Sequence, residues 1–209
     1  MKRISILFSA LTFIIILGTS SISSVQYSST PPAGKTGATG NYCTSCHSSF
    51  GLNVGGGNVT TTGLPSGYAA NATYSFSVVI THGAADRKRW GFAIKAVDAS
   101  GSPIGIFTTT NSNTTVNGSR ELTHSSATNN AASNTYTYAN LKWKAPASNP
   151  LTDKKVRFFL VAVAGFGGGS SGDYVYSKLI TVPIAVATSI SSFTPTKSRS
   201  EERRVGKEC

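Results

Sequence analysis

Residues 73–82 read Thr-Tyr-Ser-Phe-Ser-Val-Val-Ile-Thr-His, with Tyr74, Phe76, Val78, Ile80 and His82 on one set of alternate positions. Thr73, Ser75, Ser77 and Thr81 fall between them. Successive side chains of an extended backbone point to opposite faces, so this alternation predicts a half-buried β-strand whose inward face ends at His82. Downstream, Trp90, Phe92, Ile94 and Ala96 repeat the pattern against Lys95, and Ala99-Ser-Gly-Ser-Pro103 supplies a turn into residues 104–108, so the two segments read as a hairpin. Residues 109–135 form a long Asn/Thr/Ser/Ala stretch interrupted by Arg120-Glu-Leu-Thr-His124, read as a loop with one short strand. Residues 136–143 form another strand, closed by Lys144-Ala-Pro146. Residues 156–163 are apolar on both faces, as in a central strand, and residues 174–182 follow as the last strand, ended by Pro183.

Upstream, a Gly-rich turn at residues 51–57 leads into a first strand over residues 58–62. The result is about seven short strands with no internal repeat and no helix outside residues 43–47. Few residues are charged (13%), glycine is frequent (21 residues), and β-branched and aromatic side chains dominate the apolar set. The expected fold is therefore all-β: an antiparallel immunoglobulin-like β-sandwich preceded by an irregular segment.

That irregular segment carries the chemistry. Cys43-Thr-Ser-Cys46-His47 is a CxxCH string, in which two thiols can each add to a vinyl group of haem while the adjacent imidazole binds the iron. Competing readings are a local Cys43–Cys46 disulfide, part of a zinc site, a thioredoxin-like couple, or free thiols. A thioredoxin-like site needs a strand before the motif, whereas residues 31–42 are Gly/Thr/Pro-rich. A four-ligand zinc site needs one more ligand, which only His82 or His124 could supply. The disulfide remains open, because an exported CxxC pair closes readily.

Export is expected from the first residues. Lys2 and Arg3 precede an almost wholly apolar run over residues 4–18 and small residues over 19–24, a pattern that predicts a secretory signal peptide over residues 1–24. The run is short for a spanning helix, so no stable membrane span is expected after cleavage. The expected destination is secreted, periplasmic or on the outer cell surface. An extended Gly/Pro-rich arm follows over residues 25–42, then a domain over residues 43–185 and a linker or truncated module over 186–198. Residues 199–209, Arg-Ser-Glu-Glu-Arg-Arg-Val-Gly-Lys-Glu-Cys, resemble the translation of a widely used short-read sequencing adapter and are set aside. Without Cys209, both remaining cysteines lie inside the motif.

His47 is the expected proximal iron ligand. The only methionine is Met1, within the signal, so Met/His ligation is unavailable and the sixth ligand falls to His124 or, as the alternative, His82. His82 is in phase with a core face, whereas His124 sits in a polar segment where packing requires no histidine, so His124 is favoured. Losing methionine removes one factor that raises the potential, so a low-potential haem is expected.

No Ser/His/Asp arrangement, paired-carboxylate motif or phosphate loop points to catalysis. Asp86, Asp98, Asp153 and Asp173 read as turn residues. The formal charge of +11 is spread along the chain, with local density only at Arg87, Lys88, Arg89 and at Lys154, Lys155, Arg157. A solvated basic surface fits better than a nucleic-acid site, with an acidic redox partner, anionic polysaccharide or lipid headgroups as candidate partners.

Several motifs occur in an order that resembles the bacterial choice-of-anchor V domain. They are Pro32-Ala-Gly-Lys-Thr-Gly-Ala-Thr-Gly40, the CxxCH string, Trp90-Gly-Phe92, Ala96-Val-Asp-Ala-Ser-Gly101, Leu122-Thr-His124, Trp143-Lys-Ala-Pro146 and Ser171-Gly-Asp-Tyr-Val-Tyr176. That family is similar to the Reelin N-terminal, or reeler, domain, a β-sandwich. Over residues 30–183 the resemblance implies an exported surface protein of a kind typical of Bacteroidetes, and it places His124 at a motif histidine. Ile190-Ser-Ser-Phe-Thr-Pro195 is similar to the opening strand of an IPT/TIG domain. Two functions are thus expected to compete: one covalent haem c in an envelope electron carrier or redox sensor, or a non-catalytic adhesion or carbohydrate-binding module with a Cys43–Cys46 disulfide.

Overall fold

The computed structural model describes residues 29–126, 128–147 and 153–185. The signal segment, residues 186–198 and the adapter-like residues 199–209 lie outside the described residues. No described helix is long and apolar enough to cross a membrane.

Antiparallel strands form two sheets. The first sheet has the order β1 (Asn58–Thr62), β2 (Thr73–Thr81), β8 (Thr135–Lys144), β4 (Ile106–Thr109). The second has the order β10 (Tyr174–Pro183), β9 (Lys155–Gly165), β3 (Arg87–Val97), β6 (Leu122–His124), β5 (Thr114–Val116), with β7 (Thr128–Ser133) also paired to β3. The alternation of residues 73–82 is met: Phe76, Val78 and Ile80 are buried between the sheets. The central character of residues 156–163 is met too, since β9 is flanked by β10 and β3.

The two sheets are joined through aromatic side chains. Trp143 of β8 meets Phe158 of β9 edge-on at 5.0 Å, and the Tyr138 hydroxyl donates to the Trp90 carbonyl across the core at 2.6 Å. Tyr138, Leu141 and Trp143 face the same core although strict alternation would turn Leu141 outward. A β-bulge resolves the phase: the register between β2 and β8 shifts between Phe76 and Val78, and Asn140 adopts φ 61°.

The expected hairpin between residues 90–96 and 104–108 is only begun. Val97 bridges Pro103 and the Ile104 N–H donates to the Ala96 carbonyl, but β4 then leaves to pair with β8, Phe107 opposite Trp143. Gly105, at φ 69°, makes the crossing possible, because a Cβ there would lie 2.3 Å from Trp143 Nε1. Phe107 gains a core position against Phe76 and Phe158, which a hairpin on the second sheet would not provide. The polar stretch 109–135 holds three strands rather than one: β6 and β7 pair along the free side of β3, and β5 pairs with β6.

Candidate haem site on the outer sheet face

Trp90, Phe92 and Ile94 point into the sandwich, so Gly91 and Ala93 of β3 face outward. In register beside them lie Val161 and Val163 of β9, with Val175 of β10 opposite Val163. This small apolar patch lies on the outer side of the sheet, and the N-terminal segment covers it: Tyr42, Cys43 and Leu52 pack on Ala93, Val161 and Val175.

The covering segment is held at several points. Thr36 bridges Tyr42 around a tight loop in which the Gly37 N–H donates to the Asn41 carbonyl. Lys35 Nζ donates to Ser45 Oγ at 3.2 Å, and the Gly34 N–H reaches the buried Glu121 carboxylate at 3.0 Å. Residues Cys43–Ser45 form one 3-10 turn, continued by donation from the Cys46 and His47 N–H groups to the Cys43 carbonyl at 3.1 and 2.9 Å. The turn leaves Cys43 against the sheet and Cys46 exposed, both as free thiols, so the disulfide of the competing reading is not formed in this structure.

Between the turn and the sheet lies a cavity of about 330 Å³. Cys43, Cys46 and His47 line one side, with Pro31, Pro32 and Tyr42, and His124 lines it from β6, beside Trp90, Phe92 and Val163. His124 and the motif, well separated in sequence, are thereby brought together. His82 is not: it lies at 5% exposure beyond the end of β2, accepts the Ala84 N–H at Nδ1 and packs on Tyr174 with ring centroids 4.5 Å apart. It does not line this cavity.

The two cavity histidines are oriented by different means. His124 Nδ1 lies 3.1 Å from both the N–H and the carbonyl of Phe92. Phe92 stands where a continued β3–β6 ladder would place a backbone partner, but paired register stops at Ala93 opposite Thr123 and resumes at Trp90 opposite Thr128. The imidazole fills that break. In the tautomer that donates Nδ1–H to the Phe92 carbonyl, Nε2 keeps its lone pair. Burial holds His124 below the usual histidine range, with His47 acting in the same sense, so the ring is neutral and able to ligate. The ring lies over Gly91, where a Cβ would come within 2.8 Å of Cε1.

His47 is fixed by a carboxylate. Its Nδ1 lies 2.8 Å from Asp173 Oδ2, and Asp173 is almost fully buried, 3% exposed at the side chain against 28% for His47. The Phe166 N–H donates to the other oxygen, Oδ1, at 2.9 Å. Among the described residues no hydrogen bond engages Nε2 of either cavity histidine. The donor set therefore fits a haem c: two thiols, two imidazoles with Nδ1 already engaged, and apolar walls.

The thiols differ in reactivity. Burial, followed by the neighbouring Cys46, pushes the Cys43 thiol up to about 12, so below that pH its thiolate is scarce. In the reduced protein at pH 8, iodoacetamide is expected to label exposed Cys46 at least about tenfold faster than Cys43. The gap should close as the pH rises toward 12. Equal rates read by peptide mass analysis at pH 8 would contradict this burial.

No family model matches the chain, and no curated protein does. Among solved structures, a human F-spondin reeler domain is similar at 14% identity and TM-score 0.42, over 65% of this chain and 94% of that one. The Reelin-N domain of F-spondin is similar at 15% identity and TM-score 0.43, over 67% and 95%. No match assigns the chain to the choice-of-anchor V family.

Sequence reasoning missed two buried carboxylates at this site. Asp173 was expected to be a turn residue like Asp98, which does cap its own turn through the Ser100 and Ser102 N–H groups. It instead sits at the entry to β10, facing His47. Its signal was its place in Ser171-Gly-Asp-Tyr-Val-Tyr176 immediately before a strand. Glu121, between Arg120 and Leu122, gave no signal beyond being one of few acidic residues.

Proposed function

We propose that this chain holds one covalent haem c on the outer face of its second sheet, as an exported envelope protein that carries or senses electrons. Cys43 and Cys46 would attach the group, and His47 and His124 would ligate its iron. When bound, the haem supplies a one-electron couple. The protein's residues orient both imidazoles, wall the site with Tyr42 and Val163 over the outward strand face at Gly91, and hold the attachment turn against the sheet. The observation that carries the reading is the meeting of His124 with all three chemical residues of the motif in one cavity.

The test is export of the full chain from a host with haem-maturation machinery, followed by intact mass and visible spectroscopy. The expected result is one haem per chain, low-spin bands and a low midpoint potential. His124→Ala should convert the iron to high spin with haem still attached, and Cys46→Ser should reduce covalent attachment. A mature chain without haem would reject this reading and favour a surface-binding module instead. A spectrum altered by His82→Ala but not by His124→Ala would reject the ligand assignment alone.

A further inference from the structure

Resting on the haem reading, we infer that Asp173 is a positioning residue that fixes the tautomer of His47 and strengthens it as an iron donor. The geometry is directional. Phe166 N–H occupies Oδ1 at 2.9 Å, which leaves Oδ2 to face His47 Nδ1 at 2.8 Å. A carboxylate oxygen only accepts, so Nδ1 carries the proton, and in the neutral ring Nε2 keeps the lone pair that ligation requires. A carboxylate behind the ring also makes the imidazole more basic, which favours ferric over ferrous iron and lowers the potential.

The setting holds this arrangement in place. Asp173 is 3% exposed at the side chain, so water competes little for Oδ2. The chain before it is tied on both sides: Arg87 Nη1 donates to the Gly172 carbonyl at 2.8 Å, and the Gly172 N–H donates to Ser49 Oγ at 2.9 Å. The second bond links the Asp173 turn directly to the segment following His47. His124 Nδ1 by contrast meets only the Phe92 backbone, whose carbonyl is a weaker acceptor than a carboxylate. The two imidazoles would therefore be unequal donors to an iron, with His47 the stronger.

Asp173→Asn tests this sharply. The Phe166 N–H requires the amide oxygen at the Oδ1 position, so the amide NH₂ takes the place of Oδ2 and donates to His47 Nδ1. The ring proton is then driven to Nε2, the tautomer that cannot ligate.

The first measurement uses the full chain without haem: long-range ¹H–¹⁵N correlation spectra of His47 at about pH 8, where neutral imidazole tautomers are distinguished. Wild type should show Nδ1–H, Asp173→Asn should show Nε2–H, and Asp173→Ala should show a mixture. The second uses the haem-loaded chain, where iron at Nε2 would keep the proton on Nδ1 facing the amide; with the carboxylate acceptor gone, Asp173→Asn should shift the ferric preference about tenfold, raising the midpoint by about 59 mV for a one-electron couple. An unchanged tautomer in both variants overturns the inference whether or not haem is attached. A loaded wild type whose potential is unmoved by Asp173→Asn overturns it while leaving the haem reading intact. A wild type that accepts no haem rejects the haem reading, and with it the role toward iron. The spectra without haem still show whether Asp173 sets the His47 tautomer.

Discussion

Trp143→Ala is expected to lower the free energy of unfolding by about 3–5 kcal/mol, read from the urea midpoint at constant slope. The indole is fully buried where the two sheets meet. It packs edge-on against Tyr68 at 5.7 Å and Phe158 at 5.0 Å, and Tyr74 stacks beside it at 6.1 Å. Its Nε1–H donates to the Ile104 carbonyl at 3.3 Å, at the point where the chain crosses from the second sheet to the first. Truncation removes one of the two largest side chains of the core, leaves a cavity beneath Gly105 that glycine cannot fill, and strands a buried carbonyl. A domain of this size holds about 5–15 kcal/mol in all, so the variant should be marginal at 37 °C. Trp143→Phe keeps much of the packing and loses the hydrogen bond, and should cost less than half as much. A loss under about 1 kcal/mol for the alanine variant would show that the crossing at Gly105 does not depend on the indole.

What could be read from the sequence was set by periodicity. Tyr74 to Ile80 and Trp90 to Ala96 alternate because each strand faces a core on one side, and that two-residue rhythm survives in the text of the chain. Residues 109–135 could not be read the same way. Their strands are short and polar, and they hold their place by ladder bonds of β6 and β7 to β3 and of β5 to β6, and by side-chain caps such as Asn117 on the Ser119 and Glu121 N–H groups. Backbone pairing leaves no hydrophobic signature. The hairpin error had a related cause: the turn at residues 99–103 is real, but whether the next strand stays or crosses depends on a vacancy beside Trp143, which is a property of the other sheet.

The site divides along the same line. Cys43, Cys46 and His47 stand out because the CxxCH string sets them close together in the chain, and His124 was reached by counting the remaining histidines. Neither route gives orientation. The break in the β3 ladder that seats His124, and the buried carboxylate behind His47, arise from strands that meet only in the folded chain. Asp173 resembled the other aspartates because sequence shows its turn but not its burial.

Glu121→Ala should detach the N-terminal arm from the sandwich and cost about 3 kcal/mol of stability. Glu121 is 1% exposed, yet its oxygens are fully used: the Gly34 N–H reaches both, at 3.0 and 3.2 Å, and Asn117 Nδ2 donates to Oε2 at 3.1 Å. Lys95 Nζ approaches Oε1 at 3.6 Å from the outer face of β3. One carboxylate therefore ties the arm, the β5–β6 turn and the sheet together, just outside the cavity that Pro31, Pro32 and Lys35 help to wall. Alanine leaves the Lys95 ammonium, 13% exposed at its side chain, without that anion, and leaves the Gly34 N–H without its acceptor. Glutamine preserves an acceptor for Gly34 and removes only the charge, so it should cost roughly a third as much. Amide hydrogen exchange distinguishes local from global loss. In the alanine variant, residues 31–47 should exchange faster while β9 and β10, held by their own ladder, stay protected. Unchanged protection over residues 31–47 would mean that the Thr36–Tyr42 bridge and the packing of Tyr42 and Cys43 hold the attachment turn without the carboxylate.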